Sequence, residues 1–101
     1  MSKTNLCQLA SSLPCAWRSV VVGQAAGANL KVLRMDGSAY PDEVHEFDEA
    51  LLVLAGQMNL KIGNELVPVS SGELYIVPAG VSHAVAADSH GTLVIIDAAA
   101  R

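Results

Sequence analysis

Apolar positions along the chain follow two different spacings, and the change from one to the other comes early. Leu6, Leu9, Ala10 and Leu13 recur at the period of a helix face, with Thr4 placed to cap the first turn and Pro14 placed to end the last. From Trp17 onward the apolar runs shorten and alternate: SVVVG, NLKVLRM, EVHEF, ALLVLAG, MNLKIG, ELVPVS, ELYIVP, SHAVAA and TLVIID. Turn residues separate them every few positions, and Gly63-Asn64 is a two-residue hairpin signal between MNLKI and ELVPV. Many short strands in about 85 residues with no helix between them predict an antiparallel sandwich or barrel. Residues 1–16 read as an N-terminal helical extension and residues 17–101 as one all-β domain.

Composition narrows the function classes. The chain has 101 residues, 51% hydrophobic and 16% charged, which is enough for one packed core and too apolar for a disordered chain. No apolar run approaches the ~20 residues needed to span a bilayer. The N-terminus lacks the apolar centre of a secretory signal, so the expected location is cytoplasmic. Cys7 and Cys15 then read as buried or half-buried free thiols in a reducing compartment. A net charge of -4, with six scattered Lys and Arg, offers no basic stripe for nucleic acid. Ser11, Ser12, Ser70 and Ser71 lack the context of a nucleophile elbow, and no glycine-rich phosphate loop is present.

The acidic residues are concentrated. Six of the ten fall between Asp36 and Glu49, five of them in the stretch GSAYPDEVHEFDEALLVLAG, just before its apolar run. Strand alternation puts Glu43, His45 and Phe47 on one face. Glu49 opens the next strand, where a turn can return its carboxylate to the His45 imidazole. A second lone histidine, His83, follows the Pro78-Ala79-Gly80 turn and opens a strand of its own. His90, in ADSHGT, reads as a loop residue.

These two stretches resemble the paired motifs of the cupin superfamily. Gly37, five residues, Glu43-Val44-His45, three residues, Glu49, six residues and Gly56 follow the spacing of the first motif, with Glu43 where the family has its first histidine. Gly72, five residues, Pro78-Ala79-Gly80, two residues and His83 follow the second, with Ala87 where the family has asparagine. Together with the 15 residues between them the motifs cover half of the chain.

The resemblance implies a double-sheet β-barrel, or jelly roll, with a divalent metal inside it, held by Glu43, His45, Glu49 and His83. Two nitrogens and two carboxylates suit Zn, Fe, Mn or Ni and leave room for water or substrate. Two inward carboxylates repel one another, and a cation removes that conflict. Phe47, Leu51, Val53 and Val85 share the inward parity and are read as the apolar wall of a substrate pocket, with plain core packing as the alternative, while Tyr40 and Arg34 could orient a carboxylate-bearing substrate or equally stand exposed. The superfamily spans isomerases, dioxygenases, decarboxylases, sugar-binding and storage proteins, so two functions follow. One is a metal-dependent enzyme, of oxygenase or isomerase type, acting on a small polar molecule. The other is a non-catalytic binding or sensor module with a metal-free site. A homodimer is expected in either case: a mean hydropathy of +0.38 is high for so small a domain, and short strands leave sheet edges to be covered.

Overall fold

The computed structural model describes residues 3–99; the outermost positions of the two predicted segments, 1–2 and 100–101, lie outside the described residues. Helix α1 (Leu6–Ser12) is followed by strands β1 (Val20–Ala25), β2 (Ala28–Asp36), β3 (Tyr40–Glu43), β4 (Glu49–Ile62), β5 (Glu65–Ser70), β6 (Leu74–Val77), β7 (His83–Val85) and β8 (His90–Ala98). The cap of α1 is Asn5 instead of Thr4: its side chain accepts from the Gln8 N–H at 3.0 Å, which satisfies one of the orphan donors of the first turn.

Every strand pairing is antiparallel, and the sheet order is β1-β2-β8-β4-β7-β3, with β5 and β6 also on β4. The predicted runs ALLVLAG and MNLKIG are one strand. The first half of β4 lies between β8 and β6 and its second half between β7 and β5, so β4 belongs to both walls of a curled β-barrel. The register shifts between Val53 and Ala55, and the inward parity changes there. Glu49, Leu51 and Val53 are buried before the bulge; Met58 and Leu60 are buried after it.

Two apolar layers result. The inner one fills the barrel with Leu33, Met35, Leu51, Val53, Met58, Leu60, Val69, Val77 and Leu93. The outer one lies under α1, where Ala10 packs with Val32 and Val94 and is flanked by Leu6, Leu9, Leu52 and Leu54. Strands β2, β8 and the first half of β4 are therefore apolar on both faces, because the helix covers the face that points away from the barrel.

Three local expectations change. EVHEF is a strand only as far as Glu43, and residues 44–48 leave the ladder. His90 opens β8, paired with Asp36 and Gln57, instead of lying in a loop. Cys7 and Cys15 are free thiols, but both are exposed on the solvent side of the N-terminal segment instead of buried. No helix among the described residues is long and apolar enough to cross a membrane.

Candidate metal centre

The two histidine-bearing stretches are stitched together by backbone bonds. In the β3/β7 ladder Glu43 pairs with His83 and Tyr40 with Val85, which makes Glu43 and His83 cross-strand neighbours on one face. The irregular segment after Glu43 is tied to the Pro78–Gly80 turn at two points. The Gly80 N–H donates to the His45 carbonyl at 2.8 Å, and the Ala79 N–H donates to Asp48 Oδ1 at 2.9 Å. The acidic run thus divides its labour: Asp48 holds the turn, whereas Glu43 and Glu49 face the interior. Phe47 stacks on the His45 ring with centroids 4.9 Å apart and 9° between planes, which fixes the imidazole from one side.

Glu43, His45 and His83 each bring a donor atom to one point, all within 4.8 Å of one another. Glu49, 6% exposed, lies against both histidines: its Oε1 is 3.1 Å from His83 Nε2 and its Oε2 is 3.6 Å from His45 Nε2. Glu43 Oε2 is 3.8 Å from His45 Nε2, and its side chain is the most open of the four at 40% exposed.

The polar contacts of these groups fit a cation. His83 Nδ1 lies 3.1 Å from the Val81 carbonyl, an acceptor; in the neutral ring that contact puts the proton on Nδ1 and leaves a lone pair on Nε2. That lone pair faces a carboxylate oxygen, a second acceptor, and only a shared proton or a cation satisfies both. His45 Nε2 is buried without a hydrogen-bond partner, the one such side-chain atom among the described residues. Ligands about 2.1 Å from one ion lie ~3.0 to 3.5 Å apart at octahedral or tetrahedral angles, a separation that the observed 3.1, 3.6 and 3.8 Å approach. Glu43, His45 and His83 are thus the three residues whose donors converge closely enough to hold a divalent metal, with Glu49 beside the two histidines.

A cavity of about 180 Å³ opens beside the cluster and is lined by Glu43, His45, Glu49 and His83 together with Phe47, Leu51, Val85 and Tyr40. Val53, one of the predicted wall residues, and Arg34 lie elsewhere. Val53 is fully buried in the inner core and does not line the cavity, because it sits one step farther down β4 than Leu51. Arg34 belongs to the opposite face of β2 and donates to the Leu13 carbonyl at 3.1 Å. Trp17, Lys31 and Asp97 line the cavity and were not singled out from the sequence. Trp17 stands against Tyr40, ring centroids 5.5 Å apart, with its indole N–H donating to Asp36 Oδ1 and Ser38 Oγ. Hydrogen bonds from the Ser38 hydroxyl, the Ser38 backbone N–H and the Trp17 indole hold the Asp36 carboxyl below its ordinary value.

Residues 32–99 match a family model described as the cupin domain. Among solved structures, the chain resembles a cupin-2 domain containing protein from Shewanella frigidimarina, with 21% identity over 95% of this chain and 94% of that one and a TM-score of 0.85. Protein NMB1881 from Neisseria meningitidis is similar at 22% identity, 97% and 100% coverage and a TM-score of 0.82. Hydroquinone 1,2-dioxygenase PnpCD, in complex with Cd2+ and 4-hydroxybenzonitrile, is similar at 18% identity, 95% and 72% coverage and a TM-score of 0.79. No curated protein matches the chain.

Proposed function

The chain belongs to the cupin domain family, and we propose that within it this protein is a metal-dependent enzyme, of oxygenase or isomerase type, for a small polar molecule held in the barrel. The observation that carries the reading is the buried, unpartnered His45 Nε2 facing the carboxylates of Glu43 and Glu49 beside His83 Nε2. His45, His83 and Glu49 form the buried part of the ligand set, and Glu43 completes it from the open side. A bound divalent ion supplies Lewis acidity or, if it is iron, dioxygen activation. The chain's own groups do the rest: Phe47 keeps the His45 ring in place, Leu51 and Val85 exclude water from one side, and the Glu43 oxygen left free of the ion is placed to take a proton from a ligand at the cavity mouth. The likeness to a dioxygenase supports the reading at the level of fold.

Metal analysis of protein purified without chelator tests it. Near-stoichiometric transition metal is the expected result; metal-free protein whose stability is unchanged by EDTA supports a non-catalytic binding module instead. The role of Glu43 is tested separately. Glu43→His raises Zn(II) or Ni(II) affinity, measured by competition with a chromogenic chelator, because imidazole is the better donor for borderline metals. Unchanged affinity places Glu43 outside the coordination sphere.

A homodimer is part of the same proposal. Helix α1 covers β2 and β8 of its own chain. Strand β1, however, ends the strand order, and its Val21 is 56% exposed on that edge. Light scattering at micromolar concentration is expected to give twice the 10.5 kDa chain mass; a mass near 10.5 kDa refutes the dimer.

A further inference from the structure

The cavity has a second polar group, on the wall away from β3 and β7. Lys31 on β2 pairs with Ile95 on β8, and Asn29 pairs with Asp97, which makes Lys31 and Asp97 diagonal neighbours on the barrel-facing side. Lys31 Nζ donates to Asp97 Oδ2 at 2.7 Å, and Asn29 Nδ2 donates to Asp97 Oδ1 at 3.3 Å. Each oxygen of Asp97 accepts a bond, and its side chain is 5% exposed; the side chain of Lys31 is 25% exposed.

The consequence is a fixed ammonium with donors to spare. An ammonium has three N–H groups, and Asp97 is the one acceptor that Lys31 reaches among the described residues. Two donors remain for whatever fills the cavity that Lys31 lines. Charge-assisted bonds are roughly twice as strong as neutral ones, so those donors favour an ionised acceptor over a hydroxyl or a carbonyl. Three carboxylates, Glu43, Glu49 and Asp97, line the cavity against this single ammonium. Once a divalent ion joins His45 and His83, the excess negative charge is cancelled and an incoming anion meets no net repulsion.

We propose that Lys31 anchors the carboxylate of a small organic acid in the cavity, with Asp97 as the positioning residue that holds the ammonium. The inference rests on the metal reading above for its charge balance. A volume of about 180 Å³ is well below the ~300 to 1,000 Å³ of pockets for drug-sized ligands, which confines the acid to a few carbons.

Trp17, the only tryptophan of the chain, lines the cavity and reports on its contents. Zn(II)-loaded protein is titrated with acetate, glycolate and pyruvate, and with hydroxyacetone as the neutral counterpart of pyruvate, while Trp17 emission is followed. At least one acid is expected to give a saturable change, with hydroxyacetone at least tenfold weaker than pyruvate. Lys31→Met is expected to weaken acid binding at least tenfold while leaving Zn(II) affinity within twofold. Because Lys31→Met strands Asp97 without its cation, the double variant Lys31→Gln/Asp97→Asn, which keeps a neutral hydrogen-bonded pair, is measured beside it and is expected to show the same loss. No response to any acid, equal binding of hydroxyacetone and pyruvate, or undiminished acid binding by both variants overturns the proposal. If Zn(II) does not bind the wild-type chain, the metal reading falls by itself. The same titrations on metal-free protein then decide the role of Lys31, an absent response or one unchanged in both variants overturning it.

Discussion

Gly91→Ala is expected to destabilise the fold by about 3 to 5 kcal/mol, a large part of the ~5 to 15 kcal/mol that holds a small domain together. Gly91 on β8 faces Gly56 on β4. A Cβ added at Gly91 meets the Ala55 carbonyl oxygen at 1.9 Å and its carbon at 2.7 Å; one added at Gly56 meets the His90 carbonyl oxygen at 2.0 Å. The obstacles are backbone atoms within a paired ladder, so a side-chain rotation cannot relieve them. Backbone φ values of +112° at Gly91 and +86° at Gly56 add a conformational penalty of ~1 to 2 kcal/mol. Gly63→Ala separates the two contributions. Gly63 has a φ of +58° and nothing within 4 Å of a built Cβ, so its substitution carries only the conformational cost. Urea denaturation should rank Gly91→Ala at twice Gly63→Ala or more; equal losses show that the strands part enough to admit the methyl group. The contact matters to the site because the bulge beside Gly56 keeps Glu49 and Leu51 inward on one half of β4 and Met58 and Leu60 inward on the other.

The second large effect falls on the metal centre. His83→Ala is expected to lower divalent-metal affinity by more than about 100-fold, beyond the 10- to 100-fold typical of losing a group that merely supports a ligand. His83 is 4% exposed, with Nδ1 held 3.1 Å from the Val81 carbonyl and Nε2 held 3.1 Å from Glu49 Oε1, so removing the ring takes away a buried, fixed donor. Wild-type protein with metal at 100 times its dissociation constant should gain ~2.7 kcal/mol of stability, which EDTA removes. The variant should show neither the gain nor the EDTA response. Calorimetric titration with Zn(II) and thermal unfolding with and without EDTA measure both, and unchanged affinity in the variant removes His83 from the centre.

Much of this site could be read from spacing, and the exceptions have identifiable causes. Glu43, His45, Glu49 and His83 stand at fixed offsets from turn glycines and a proline, and such offsets are local properties of the chain. Lys31 and Asp97 escaped notice because NLKVLRM and TLVIID carry apolar residues at both odd and even positions. Alternation assigns a face only when one face is polar, and α1 covers the second face of both strands. Val53 has the inward parity of Leu51, but parity gives a direction and not a depth, and this position lies below the cavity. The ADSHGT stretch looked like a loop because its Asp, Ser and Gly favour turns; pairing with Asp36 and Gln57 draws His90 into the ladder all the same.

The sequence by itself determined the all-β class, the early helix, the Gly63-Asn64 hairpin and the candidate donors, because each depends on residues within one or two turns of chain. Tertiary structure alone decided how those donors meet. The Gly80 N–H bond to His45 and the Ala79 N–H bond to Asp48 bind segments more than thirty residues apart, and they place His45 beside His83 where a continued strand would have carried it onward. Tertiary structure also separated the acidic residues into a turn clamp and inward carboxylates, and set Lys31 against Asp97 from strands at opposite ends of the chain. Local spacing specifies side-chain direction relative to its own strand. Convergence on one point depends on the bend of β4 and on which strands pair, and those are set by packing between residues that the sequence keeps far apart.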